Sequence, residues 1–480
     1  MATILGANTL SSAYDVANGV KFEDGDNAKM SRSISGSPTD PEKYTFSCWI
    51  KRGNLIEGVI LGNYANANFR AKFGFDSNHK LEYYQVNDGS ASASVVTTQV
   101  FRDTTAWYHI VLAYDSSQGT AADRVKFYVN GTVVSSYSGT SYPAQDLDSR
   151  LNQASQTLVI GQDGNDSKDF DGYMCELVLI DGQALDATSF GEFDSDTPTT
   201  WKPKDPSSLT FGDDGFYLDF EDSGDLGDDE SGNGNDFTES NLAATDQVTD
   251  TCTNNFAVMN NLAIHPSSTF TFKEGNLDYA TSSSTRGYWV STIAVSSGKW
   301  YWEYKATDNE ARTCVGIAGA PARTNNDPES GDHDNVTVYT TINGRISYNS
   351  NAATDNYYNS ATSSDDIIIG VAVDLTSSTN SIAFSIDGEW VSGDGSKSTN
   401  FASVLLQDDF TNVASTINGV YHMIAGDDGG DQDVLGQANF GNPPFSISSG
   451  NSDANGYGNF EYAVPSGYYA LCTKNLAEYG

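Results

Sequence analysis

The stretch VKFYVNGTVV (residues 125–134) carries the pattern that decides the fold. β-forming residues flank Asn130-Gly131 on both sides, and an Asn-Gly pair supplies the positive φ angles of a two-residue type I′ turn. The pattern therefore predicts an antiparallel β-hairpin. Further Asn-Gly or Asp-Gly pairs stand between similar runs at 181–182, 343–344, 387–388 and 418–419. Because such pairs recur along the chain while long helical periods are nearly absent, we expect an all-β protein built of antiparallel β-sandwiches.

The length of the chain, 480 residues, favours more than one domain, since domains typically hold about 100–200 residues. Between Asp194 and Asp250 the strand pattern gives way to Pro, Asp, Gly and Ser, interrupted by the strand-like GFYLDF (215–220). We therefore expect an N-terminal segment (1–18), a first sandwich (19–193), an acidic Gly/Pro-rich linker with one strand (194–250), and a second sandwich with a C-terminal tail (251–480).

The charge balance disfavours two classes of partner. With 25 Lys and Arg against 64 Asp and Glu, the formal net charge is −39. Such a surface repels phosphate backbones and anionic membranes, so we expect neither nucleic-acid binding nor membrane insertion. No stretch approaches the roughly 20 apolar residues of a membrane span, and the start lacks a signal-peptide pattern. The chain is expected to be made and kept in solution.

The strands of the first sandwich occur in a characteristic order. A strand with an outward Trp49 is followed by WYHIVLAY (107–114), the hairpin at 130–131, and a closing strand with Gly172 and Glu176. This series resembles the laminin-G-like, concanavalin A-like jelly roll. The resemblance implies sugar or protein binding more often than catalysis.

Three aromatic residues are candidates for ligand binding in this sandwich: Trp49, Tyr83 and Tyr84. Sugar rings stack their C–H faces on such side chains while polar neighbours fix the hydroxyls. At least one of the adjacent tyrosines must face the core, and packing is the favoured interpretation for each single residue.

One loop has the composition of a calcium site. The segment GQDGNDSKDFDG (161–172) concentrates hard oxygen ligands of the kind that Ca²⁺ binds, without the EF-hand spacing. A solvated Asx-rich turn is the favoured alternative, and no other cofactor is indicated. The candidate ligands are Asp163, Asn165, Asp166, Asp169 and Asp171.

The second sandwich carries a different set of motifs. These are GKWYWE (298–303), VG (315–316), DIIIGVAVD (366–374), FSIDGEW (384–390) and NFG (439–441). Together they resemble the SPRY domain over about residues 296–445. The resemblance implies binding of a partner through variable loops.

The two sandwiches are joined through a segment with GFYLDF (215–220), DESGNGNDF (229–237) and NNFA (254–257), and the chain ends with PSGYYALCTKNL (465–476) and four further residues. This arrangement resembles that of virion appendage proteins of marine bacteriophages. It implies a virion surface or tail-fibre protein, assembled in the host cytoplasm, that contacts other virion proteins and attaches to a host-surface glycan or protein; a homotrimer is a fibre-family expectation. The alternative is a purely structural capsid or tail decoration protein. A polysaccharide depolymerase is less favoured because the E-x-D-x-x-E motif of laminarinase-type members is absent, so we expect no enzyme.

Overall fold

The computed structural model describes residues 14–264, 269–281, 287–307, 313–319, 336–341, 345–348, 366–376, 380–392, 396–403, 407–408, 419–427 and 434–480. Over these residues the regular secondary structure is almost all antiparallel strand, with one short α-helix and several 3-10 turns, which confirms the all-β prediction. Among them, no helix is long and apolar enough to cross a membrane. The described residues divide into two compact units, one ending at Asn255 and the other beginning at Phe256.

The first unit contains eighteen strands within the described part of the chain. They are β1 (Gly19–Phe22), β2 (Lys29–Ser33), β3 (Lys43–Arg52), β4 (Gly58–Asn66), β5 (Phe69–Phe75), β6 (Lys80–Asn87), β7 (Ser90–Val100), β8 (Trp107–Asp115), β9 (Val125–Val129), β10 (Thr132–Val133), β11 (Tyr137–Ser141), β12 (Thr157–Ile160), β13 (Gly172–Asp181), β14 (Gly191–Phe193), β15 (Trp201–Pro203), β16 (Phe216–Leu218), β17 (Thr238–Ser240) and β18 (Gln247–Val248). Single 3-10 turns lie at Asp24–Asp26, Ala121–Asp123, Ala187–Ser189 and Ala244–Asp246.

Sixteen of these strands form two eight-stranded sheets with the core between them, and β14 and β15 pair with each other in a separate two-stranded sheet. Sheet I has the order β10-β9-β8-β3-β13-β1-β18, with β16 also pairing with β13; sheet II has the order β11-β7-β6-β5-β4-β12-β2-β17. Phe73 of sheet II contacts Phe46 and Phe127 of sheet I, with ring centroids 6.1 and 5.6 Å apart. Apolar side chains alternate with polar ones along most strands because one face of each sheet lies against this core.

The hairpin pairs have different outcomes. Asn130 and Asp387 adopt φ angles of 45° and 49°, each is followed by a glycine with positive φ, and the flanking strands pair as predicted. The prediction at Asp181 is wrong: Asp181 ends β13, which pairs with β3, β1 and β16, and the chain leaves the sheet after Gly182. Asn343, Gly344 and Asn418 lie outside the described residues.

Residues 194–250 differ from the acidic linker that the composition suggested. Four strands, β15 to β18, lie in this segment, and β16, β17 and β18 extend the two sheets. The apolar side chains of Phe216, Leu218 and Phe237 belong to the core of the first unit. The acidic residues make turns rather than a solvated tether: Asp229 accepts hydrogen bonds from the backbone amides of Tyr217 and Ser231, both at 2.9 Å.

The second unit contains sixteen strands and the α-helix within the described residues. They are β19 (Met259–Ile264), β20 (Phe270–Lys273), β21 (Asp278–Thr281), β22 (Gly287–Val295), β23 (Lys299–Ala306), β24 (Thr313–Ala318), β25 (Val336–Thr340), β26 (Arg345–Tyr348), β27 (Ile367–Asp374), β28 (Ser381–Ile386), β29 (Glu389–Val391), β30 (Lys397–Ser398), β31 (Gln407–Asp408), β32 (Tyr421–Asp427), β33 (Leu435–Asn439), β34 (Tyr469–Ala470) and α1 (Thr473–Tyr479). A 3-10 turn lies at Phe401–Ser403.

Two sheets also form the second unit. One has the order β19-β22-β32-β24-β25-β26 and the other β20-β21-β33-β23-β27-β28-β29-β30, with β31 and β34 added to β28 and β23. Trp302 stacks on Phe440 at 5.2 Å and meets the edge of Trp289 at 6.1 Å. The aromatic residues of the SPRY-like motifs therefore supply packing.

The buried Glu303 of the second unit is a structural residue. Its carboxylate accepts hydrogen bonds from the amides of Glu461 and Tyr462 at 2.9 and 2.8 Å, and from Tyr301 Oη and Asn439 Nδ2. Burial raises the pKa of Glu303 to about 7 although these donors act to lower it. The carboxylate of Glu303 therefore holds the C-terminal segment against β23.

Candidate binding site

A groove of about 250 Å³ lies on the outer face of sheet II. We call it the sheet II groove and define it by six side chains that line it: Arg70, Lys72, Glu82, Tyr84, Asp163 and Lys168. It is partly open to solvent, and its lining is mainly polar.

Strand alternation places the floor of the groove. Ala71 and Tyr83 point into the core, so the residues next to them in β5 and β6 face outward. Lys72 and Tyr84 stand directly opposite each other in the register of these two strands. The aromatic ring and the ammonium group therefore lie side by side on the same face.

The loop between β12 and β13 forms a wall of the groove. This loop crosses β4 so closely that a Cβ atom on Gly62 would lie 2.4 Å from the carbonyl oxygen of Gln162. Glycine is needed at this position because the two backbones touch. The crossing brings Asp163 and Lys168 over the strands of sheet II.

Three charged side chains of the groove, Lys72, Glu82 and Lys168, are joined in one chain of ion pairs through the neighbouring Glu57. Lys168 lies 2.8 Å from Glu57, Glu57 lies 2.9 Å from Lys72, and Lys72 lies 2.8 Å from Glu82. Burial acts to raise the pKa of Glu57, but the hydrogen bonds from Lys168 and Lys72 outweigh it and lower that pKa. The network holds its donors and acceptors in fixed positions.

An aromatic face beside fixed polar groups can bind a sugar. The guanidinium of Arg70 lies 5.9 Å from the centroid of the Tyr84 ring, so the ring is flanked by a cation on its own sheet. A sugar ring stacked on Tyr84 would place its hydroxyls near Glu82, which accepts hydrogen bonds, and near Lys168, which donates them. The geometry suits a polyhydroxylated ligand better than an apolar one.

Two of the three aromatic residues predicted to bind a ligand have almost no accessible surface. Trp49 is 1% exposed and Tyr83 is 0% exposed, so neither can stack on a ligand. Trp49 does face away from the core, as its strand pattern predicts, but the ring of His109 covers it at 4.8 Å. Tyr83 points into the core and donates its hydroxyl to Gln85 at 2.7 Å. Tyr84 alone lies at the groove.

The acidic loop does not gather its five predicted ligands into one calcium site. Asp163 accepts hydrogen bonds from the amide of Asn165 at 2.8 Å and the hydroxyl of Ser167 at 2.9 Å, which is an Asx turn. Asp166 pairs with Lys29, and Asp169 accepts from Gln162 at 2.6 Å. The favoured alternative of an Asx-rich turn describes this part of the loop.

The fifth predicted ligand, Asp171, has different neighbours. One oxygen each of Asp171, Glu23 and Asp24 lie within 4.8 Å of one another, a grouping that sequence spacing could not reveal because β1 and β13 meet only in the sheet. Burial, with the charge of Glu23, raises the pKa of Asp171 well above its usual range. If a divalent cation is held in this unit, these oxygens and not the rest of the loop would hold it.

His109 is not placed as a catalytic base. Trp201 Nε1 donates to His109 Nδ1 at 3.0 Å, so the ring proton is on Nε2 and donates to Ser47 Oγ at 2.8 Å. Burial lowers the pKa of His109 to about 3. The imidazole is therefore neutral and cannot take a proton from Ser47.

Residues 24–189 match the sequence profile of the concanavalin A-like lectin/glucanases superfamily, of laminin G type. Together with the two packed sheets, this match supports a concanavalin A-like β-sandwich fold for the first unit. No curated protein matches the chain.

Several solved structures are similar to the chain. A putative carbohydrate-binding protein from Bacteroides ovatus is 17% identical, with 48% of this chain and 60% of that chain covered and a TM-score of 0.34. The SPRY domain of human HERC1 is 15% identical, with 38% and 96% covered and a TM-score of 0.28. Domains LG4-5 of the mouse laminin alpha1 chain are 9% identical, with 98% and 91% covered and a TM-score of 0.29. These identities and TM-scores are too low to support any conclusion beyond the similarity itself.

Proposed function

We propose that the protein is a non-enzymatic adhesin whose first unit binds a glycan in the sheet II groove. The observation that carries the proposal is the position of Tyr84, a half-buried aromatic ring flanked by fixed hydrogen-bonding groups in an open groove. The lectin-type profile match over residues 24–189 supports it.

The groove chemistry favours binding over hydrolysis. A glycosidase needs one carboxyl group whose raised pKa lets it act as the general acid. Glu57, which shares Lys72 with Glu82, instead has a lowered pKa because two lysines donate to it. A polysaccharide depolymerase therefore stays the less favoured candidate.

We place this adhesin on a bacteriophage virion, as a surface or tail-fibre protein that attaches the particle to its host. The order of the two sandwiches and the net charge of −39 support this placement. A shallow site binds weakly, and many copies on one particle, trimeric or otherwise clustered, would convert weak binding into firm attachment. The alternative role, a decoration protein that binds only virion neighbours, would leave the groove without a glycan.

The test is glycan binding by the full chain and by two tyrosine variants. A glycan array selects an oligosaccharide, and isothermal titration then measures its affinity for the wild type and for Tyr84→Ala. Loss of the stacking face should weaken binding about 5- to 30-fold, since an aromatic contact contributes about 1–2 kcal/mol. Tyr128→Ala, a partly exposed tyrosine of β9 in sheet I, is the matched control and should bind like the wild type.

Two results would reject the proposal. The first is that neither the array nor intact bacterial cells retain the chain, which favours the structural role. The second is a selected glycan that binds the Tyr84→Ala variant as tightly as the wild type, which would place the site elsewhere.

A further inference from the structure

Three side chains with complementary chemistry meet where the chain leaves the first unit. Lys51, near the end of the central strand β3, places its Nζ atom 2.7 Å from Asp250 Oδ2 and 2.7 Å from Asn255 Oδ1. The side chains of Lys51 and Asp250 are 1% and 0% exposed. An amine, a carboxyl group and a carboxamide therefore share one buried position.

The surroundings of this triad are aromatic and hold each group in place. Lys51 Nζ lies 5.3 Å from the centroid of the Tyr173 ring, and Trp107 Nε1 donates to Asp250 Oδ1 at 3.1 Å. The amide nitrogen of Asn255 donates to the carbonyl of Thr105 at 2.9 Å. This bond turns the Oδ1 atom of the carboxamide toward Lys51 and fixes its plane.

We propose that Lys51 and Asn255 form an intramolecular isopeptide bond, with Asp250 as the group that moves the protons. Fixing an amine beside a carboxamide replaces a bimolecular encounter with an intramolecular one, which removes the entropic part of the barrier to this reaction. The low polarity of the buried site and a proton donor at the developing oxyanion lower the barrier further.

The first step is a proton transfer inside the buried ion pair. Burial lowers the pKa of Lys51, while Asp250 acts to raise it. A low-dielectric site favours the neutral amine and neutral carboxyl over the two ions, so a proton passes from Nζ to Oδ2 of Asp250. The amine then carries the lone pair that a nucleophile needs.

The bond changes balance without any further reactant. The lone pair of Lys51 Nζ attacks Cγ of Asn255, and the proton on Asp250 hydrogen-bonds to the oxyanion that forms on Oδ1. The bond from Cγ to Nδ2 breaks, Asp250 relays a proton from Nζ to Nδ2, and ammonia leaves. Overall a lysine ammonium and an asparagine amide give one secondary amide and one ammonium ion. Asn255 is only partly buried, which gives ammonia a path to solvent.

The bond would lock the end of the first unit onto its central strand. Asn255 is the last residue of that unit, and segment 194–250 supplies β15 to β18 on the way to it. With Lys51 joined to Asn255, a pull on the chain beyond residue 255 would reach β3 directly and would not peel this segment from the sheets. A covalent link that closes so long a loop also lowers the conformational entropy of the unfolded chain, which favours the folded state.

Mass spectrometry of the purified full chain tests the bond. The wild type should be lighter than its sequence mass by one ammonia, after allowance for removal of Met1, and a digest should contain one branched peptide that joins Lys51 to Asn255. The digest is essential because Asn-Gly pairs also lose ammonia by forming succinimides. Asn255→Ala keeps the ion pair and should give linear peptides only, whereas Asn255→Asp should lose water instead.

Two more variants separate chemistry from folding. Asp250→Asn keeps the shape of the side chain but cannot relay protons, and its peptides should be unlinked. Asn241→Ala, at an exposed asparagine of the same unit, is the matched control and should keep the branched peptide. Recovery of separate Lys51 and Asn255 peptides from the wild type, even after prolonged incubation at neutral pH, would overturn the proposal.

Discussion

Glu176 is a buried carboxyl group whose charge should govern the pH dependence of the first unit. It lies in the bulge of β13 with a φ angle of 53°, and Tyr14 and Tyr217 donate to it at 2.9 and 3.1 Å. Burial raises its pKa to about 8, although the two hydroxyls act to lower it. The folded protein therefore binds a proton there that the unfolded chain releases near pH 4 to 5.

We expect Glu176→Gln to remove a pH-dependent loss of stability. Because the folded pKa is raised, the carboxyl group favours folding below its unfolded pKa, and this contribution is lost as the pH rises toward about 8. Glutamine stays neutral, so the variant should match the wild type near pH 5 and exceed it by roughly 2–4 kcal/mol near pH 9, because a tenfold change in proton affinity corresponds to about 1.4 kcal/mol. Urea unfolding at both pH values measures this difference; an equal difference at both would contradict it.

The alternation of side chains predicts which face a residue occupies but not what covers that face. It places Trp49 on the outer face of β3, where the structure has it, and Tyr84 on the outer face of β6 follows from the same rule. Trp49 is buried because Trp201, more than a hundred residues later, stacks on His109 above it. No local pattern indicates that a short strand such as β15 covers this face of the sheet. The sequence alone therefore could not show that Trp49 is covered and Tyr84 is not.

At the scale of elements, β15 covers the outer face of sheet I. Trp201 is 2% exposed, and a Cβ atom on Gly131 would lie 2.2 Å from its ring. Gly131 therefore serves two purposes, the positive φ of the hairpin turn and the close approach of the indole. The Asn-Gly pattern predicts the first purpose only.

We expect Trp201→Ala to destabilise the first unit by about 3–5 kcal/mol, since it removes a buried ring and the donor to His109 Nδ1. Water would then reach His109, so its pKa should rise from about 3 toward its ordinary value. Chemical denaturation and an NMR titration of the imidazole measure the two effects.

Phe193→Ala is the control: that ring meets Trp201 at 4.9 Å but is 45% exposed, so its loss should cost about 1 kcal/mol or less. Unchanged stability of Trp201→Ala would contradict the covering role of β15.

At the scale of the whole molecule, the sequence predicts the two-sheet architecture but not where the first unit ends. Turn pairs and alternation predict two-sheet packing because both follow from local backbone geometry. The extent of the first unit depends instead on strands of two or three residues, such as β16 and β18, which are too short to show a period. Their Asp- and Gly-rich turns have the same composition as a solvated linker, and only pairing with distant strands distinguishes the two.

The position of the border can be tested with fragments. We expect residues 1–255 to fold alone and residues 1–193 to fail, because the shorter fragment lacks three strands that pair with β13, β2 and β1. It also lacks Phe216, Leu218 and Phe237, which are fully or almost fully buried. Removing a side chain of this size from a core lowers the free energy of unfolding by about 3–5 kcal/mol. The summed loss, about 9–15 kcal/mol, is as large as the whole stability of an ordinary domain, roughly 5–15 kcal/mol. Circular dichroism melting and amide dispersion in NMR spectra distinguish the outcomes, and a cooperative transition in fragment 1–193 would show that the segment after β14 is dispensable to the sandwich.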